Sequence, residues 1–106
     1  MPKYLIAANY TPEGAAGLMN EGGSGRVQAV RAAVEGLGGT IESFYFSFGE
    51  TDAFVTVDVP DLTDVLALSM AVGASGRAST KTIALISPSE VDLAAEKTLS
   101  YRAPGE

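Results

Sequence analysis

A chain of 106 residues, 46% hydrophobic and 19% charged, has the length and balance of a single folded domain with its own core. It contains no cysteine and no histidine, which excludes disulfides, thiolate catalysis, zinc fingers, iron–sulfur sites and histidine-ligated haem, so no metal or cofactor is expected. Seven basic residues against thirteen acidic ones, a net charge of −6, speak against a nucleic-acid partner.

Lys3 to Tyr10 is short and apolar and reads as a first strand, with Tyr4, Ile6, Ala8 and Tyr10 on one face and Leu5, Ala7 and Asn9 on the other. Met1-Pro2-Lys3 runs straight into that strand with no secretory pattern, so a cytoplasmic location is expected. No apolar run approaches a membrane span. Thr11-Pro12-Glu13 opens a helix that Gly22-Gly23 is expected to stop. A second helix covers Ser24 to Leu37, with Val27, Val30, Val34 and Leu37 as its apolar stripe and Gly38-Gly39 as a left-handed cap.

Thr40 to Phe48 reads as strand two. Phe44, Phe46 and Phe48 fall on one face, and Ile41, Ser43, Tyr45 and Ser47 on the other. After a hairpin-sized loop, Asp52 to Val59 is strand three, with a valine row opposite Phe54 and Thr56. Asp61 and Asp64 are placed as a capping box for a helix whose stripe is Leu62, Val65, Leu66, Ser69 and Val72. Ser79 to Ser87 is strand four, and Pro88-Ser89-Glu90 starts a short helix in which Val91, Leu93 and Ala94 can pack.

The order β-α-β-β-α-β plus a terminal helix predicts an α+β, ferredoxin-like domain over residues 1–106: a four-stranded antiparallel sheet with both main helices on one face. The other face should then alternate with polar residues. Strands two and three are instead apolar on both sides, which predicts a homo-oligomer, dimer or higher, packed sheet to sheet.

The runs Tyr4-Leu5-Ile6 and Asn9-Tyr10-Thr11-Pro12-Glu13-Gly14, the pairs Gly22-Gly23 and Gly38-Gly39, and Glu42-Ser43-Phe44-Tyr45, Phe48-Gly49 and Ala74-Ser75-Gly76 together resemble the GYD domain family. The stretch that resembles its Gly-Tyr-Asp element is Gly49-Glu50-Thr51-Asp52, which keeps the glycine and the aspartate and carries Thr51 in place of tyrosine. The resemblance implies a small bacterial-type protein of the dimeric α+β barrel kind and brings no activity with it.

Four polar residues on otherwise apolar strands, Asn9, Tyr10, Tyr45 and Lys81, are candidates for a ligand pocket, because polar groups on a covered face need partners. Asp52 and Tyr45 are candidates for catalysis, Asp52 as a general base, against a simpler role for Asp52 in tying down turn N–H groups. Gly23, Gly25 and Arg26 precede a helix and are candidates for anion binding, against an ordinary inter-helix turn. Three functional classes follow: a homo-oligomeric module that binds or senses a small ligand, a cofactor-free oxygenase- or isomerase-like enzyme on a small organic substrate, and a structural assembly subunit.

Overall fold

A computed structural model describes residues 2–106. Seven elements follow in order: β1 (Lys3–Tyr10), α1 (Pro12–Gly36), β2 (Thr40–Phe46), β3 (Ala53–Asp58), α2 (Leu62–Ala74), β4 (Ala78–Leu85) and α3 (Pro88–Ala95). The four strands form one antiparallel sheet in the order β2-β3-β1-β4, the ferredoxin-like arrangement.

Local chemistry sets the helix boundaries. Thr11 caps α1 by accepting the Gly14 N–H at 3.2 Å, and Pro12 fills the first turn, where an N–H has no partner to lose. The stop expected at Gly22-Gly23 forms, and α1 is two helical halves that meet at a break. Gly22 alone leaves helical geometry (φ 81°, ψ 163°), a conformation open to glycine, and the helix resumes beyond it. The cap at Gly38 forms as expected: its φ is 81°, its N–H reaches Glu35 at 2.9 Å, and the Gly39 N–H reaches Val34 at 3.0 Å. In α2 the Asp61 N–H donates to Asp64 Oδ2 at 3.1 Å.

The core lies between one sheet face and the helices. Tyr4, Ile6, Val34, Val55, Val57, Val59 and Val65 are buried there, with Val30, Ile41, Phe44 and Leu68 packed against them. Ile41 faces the helices, although strict alternation puts it opposite. The register of β2 against β3 slips between Ile41 and Ser43, and this bulge at Glu42 returns Ile41 to the side of Phe44. The inward stripe of α2 also differs from expectation. Val65, Leu68, Ser69 and Val72 are covered to different degrees, while Leu62 and Leu66 are exposed. Leu66 lies about 100° around the helix from Val65, which takes it off the face that meets the sheet.

The opposite sheet face is open in the single chain. Register places Leu5, Ala7 and Asn9 of β1 there, beside Phe54, Tyr45, Lys81, Ile83 and Leu85. Tyr45 is 71% exposed, Ile83 52% and Phe54 37%. The short helix α3 is well capped, with the Glu90 N–H on Ser87 Oγ at 3.2 Å and the Ser87 N–H on Glu90 Oε1 at 3.1 Å. Yet every residue of α3 is exposed, Val91 and Leu93 included. The radius of gyration, 17.1 Å, reflects this projecting arm; a compact domain of this length has about 13 Å. Among the described residues, no helix is long and apolar enough to cross a membrane.

Candidate functional site

A cavity of about 580 Å³ lies between the sheet and the two main helices. Its floor is Ile6 and Ala8 of β1, Ala53 and Val55 of β3, Phe44 of β2 and Thr80 of β4; its roof comes from α1 and α2. The space exists because inward positions carry small side chains. Ala8 and Ala53 face Ala29, Ala33, Ala71 and Gly17 where a close-packed interior would hold leucine or phenylalanine.

Polar groups gather where the lining reaches the bend in α1. The break at Gly22 sets Glu21 and Arg26, from the two halves of α1, side by side: Arg26 Nε lies 3.3 Å from Glu21 Oε1. That contact is ionic without hydrogen-bond geometry, and Arg26 Nε is buried without a hydrogen-bond acceptor. Tyr10 and Asn20 line the same region. Burial raises the Tyr10 phenol above the ordinary tyrosine value; the Arg26 charge pulls it back, and Asp52 and Glu21 push it further up. On the far side, Ser69 Oγ and Thr80 Oγ1 sit 3.1 Å apart, and Arg77 and Ser75 complete the wall.

A phenol whose folded-state pKa is raised favours the folded state below the ordinary tyrosine pKa. That contribution is lost as pH rises through the raised value. Spectrophotometric titration is therefore expected to show one phenol ionising late, and Tyr10→Phe should remove that component and flatten the fall in stability at high pH. A late component that survives in Tyr10→Phe would contradict the assignment.

The four residues proposed as one ligand set divide between the two sheet faces. Tyr10 lines the cavity. Asn9, Tyr45 and Lys81 lie on the open face, because alternate strand positions point to opposite sides and register carries Asn9 and Lys81 together with Leu5, Ala7 and Phe54. Tyr45 and Asp52, the catalytic candidates, are both outside the cavity lining. Asp52 ties the β2–β3 loop to the end of β1: its Oδ2 accepts the Tyr10 N–H at 2.9 Å, and its own N–H reaches Asn9 Oδ1 and the Ala8 carbonyl, each at 3.0 Å. Asp52→Ala should cost about 1–3 kcal/mol in a denaturant melt, the usual result of stranding a part-buried N–H; an unchanged midpoint would refute that tie.

Of the anion-binding candidates, Arg26 lines the cavity and the glycines do not: Gly23 lies against the Phe46 ring and Gly25 against Glu21. Glu21, Asn20, Ser69, Thr80 and Arg77 were not singled out from sequence. The available signal was the recurrence of alanine and glycine at inward positions, which marks where space is left. Among the described residues, no three carboxylates gather into a group that could hold a metal ion.

No curated protein matches the chain. The sequence model of the GYD domain matches residues 4–95, which takes in the sheet from Tyr4 onward, both main helices and α3, and the chain belongs to the GYD domain family.

Proposed function

We propose that this GYD domain is a homo-oligomeric binding module whose small-molecule ligand occupies the cavity between sheet and helices. The observation that carries this reading is the lining itself: some 580 Å³ left open by alanines and glycines, with charged and hydroxyl groups at its edge. The test is binding of a small neutral aromatic, 2-naphthamide, to the wild type and to Ala8→Phe, which places a ring on the cavity floor. The amide should raise the melting temperature of the wild type and leave Ala8→Phe unmoved. No shift in the wild type, or an equal shift in both, would overturn the reading; Ala8→Leu serves if the phenylalanine variant does not fold.

The oligomer rests on two apolar surfaces that one chain leaves uncovered. One is the open sheet face with Phe54, Ile83 and Leu85, the dimeric α+β barrel arrangement being the form this would take. The other is α3, since an eight-residue helix is marginal in water unless it packs on something. Light scattering at micromolar concentration should give a mass of at least twice the 10.9 kDa chain. A monomer would defeat the oligomer without touching the cavity.

A further inference from the structure

The charges on the cavity wall run against those of the protein as a whole. Thirteen acidic residues outnumber seven basic ones along the chain. Two arginines, Arg26 and Arg77, line the cavity, while Glu21 is the one acidic residue in its lining. The lining is therefore net positive in a protein of net charge −6. Arg26 is the better placed of the two. Its Nε is shielded from water without a hydrogen-bond acceptor, and Glu21 offers an ionic contact without the geometry of a bond. A buried guanidinium N–H left in this way favours an acceptor arriving with the ligand. The Tyr10 side chain, half-buried beside it, adds a neutral hydroxyl donor. Apart from Asn20, the hydroxyls of Ser69, Ser75 and Thr80 and two glycines, the rest of the lining is alanine, valine, leucine, isoleucine and phenylalanine, which suits a largely apolar body.

Resting on the cavity reading above, we infer that the ligand is a small carboxylic acid with an apolar body, its carboxylate held at the bend of α1 by Arg26 and the Tyr10 hydroxyl. Glu21 holds the guanidinium in the empty site and is the group the ligand carboxylate displaces. A nucleotide or sugar phosphate fits less well, because the lining hydroxyls are already engaged: those of Ser69 and Thr80 bond to one another, and that of Ser75 donates to the Val72 carbonyl.

Two isosteric probes, 2-naphthoate and 2-naphthamide, separate charge from fit, and isothermal calorimetry reads both. The wild type should bind the carboxylate about tenfold more tightly than the amide, the usual margin of a charge-assisted hydrogen bond over a neutral one. Arg26→Gln should abolish that margin while leaving amide binding in place, and Arg26→Lys should restore part of it. Glu21→Gln, which frees the guanidinium, should tighten the carboxylate and leave the amide unchanged. Arg31→Gln, on an exposed part of α1 outside the cavity, should change neither. Equal binding of the two probes to the wild type would overturn the carboxylate assignment and leave the cavity reading standing. Loss of the margin in Arg31→Gln as well would refute the site, since general charge would then account for it. Failure of both probes to bind removes the cavity reading and this inference with it.

Discussion

Gly14→Ala should destabilise the fold by roughly 3 kcal/mol or more, enough to lower the melting temperature by about 15 °C or to prevent folding. A methyl on Gly14 would sit 1.8 Å from the Arg77 carbonyl oxygen, far inside van der Waals contact, and the obstacle is backbone and cannot rotate away. The start of α1 is pinned at this point: the Thr11 N–H donates to that same carbonyl at 3.0 Å, and Thr11 Oγ1 donates to the Gly76 carbonyl at 3.0 Å. Moving α1 outward to admit the methyl breaks these bonds, each worth about 1 kcal/mol. Gly17, one turn further along the same helix, is the control. A methyl there meets nothing within 4 Å, so Gly17→Ala should stabilise by about 0.5–1 kcal/mol through helix propensity alone. Opposite signs at two glycines three residues apart are the signature of close helix–loop packing. Chemical denaturation reads both, and a Gly14→Ala midpoint equal to wild type would refute the packing.

The fold was legible because local signals agreed with one another. The alternation in β1 and β3, the Asp61–Asp64 cap and the Gly38-Gly39 stop each have a single physical reading, and together they allow few topologies. Ile41 was misplaced because a bulge leaves no mark on a period-2 pattern: the extra residue, Glu42, is polar and looks like any outward position. Gly22-Gly23 read as a stop because two glycines cost helix propensity. The stop is there, confined to the one residue Gly22, so the second half of α1 begins at once beyond it. The cavity was the least legible feature. Polar residues on strands are the visible candidates in sequence, and strand alternation sends Asn9, Tyr45 and Lys81 away from the helices. The lining groups Glu21 and Arg26 meet across the break in α1, and a break between helices carries no sign in sequence of the angle at which the two halves come together. Arg26 was reached by a different argument, as part of a glycine-rich helix start.

If the open sheet faces pack together as proposed, Phe54→Asp should give monomers or sharply weaken association, because an aspartate at the centre of that contact would be buried without a partner. Phe54 is on β3, pairs with Ala7 on one side and Tyr45 on the other, and is 37% exposed in the single chain. The exposed part of the ring is what a second sheet would cover, so circular dichroism of the variant separates a loss of folding from a loss of association. Phe46 does not serve the same purpose. Register places it with Ala53 on the helix face, where its ring stacks near Phe44 at 5.3 Å between centroids and touches the space beside Gly23. Phe46 is itself 43% exposed, so the two variants differ in the face they alter: Phe46→Asp the helix side and Phe54→Asp the open side. Leu93→Asp separates the contribution of the arm. Leu93 is 62% exposed on α3, so its replacement should cost little in an isolated monomer. If α3 packs on a second copy, Leu93→Asp should raise the dissociation constant by about tenfold or more, the scale of losing one buried leucine from an interface. Sedimentation at several concentrations reads both variants. An unchanged mass for Phe54→Asp would remove the sheet-to-sheet contact. An unchanged constant for Leu93→Asp would leave α3 as a solvated arm, with the oligomer held by the sheet alone.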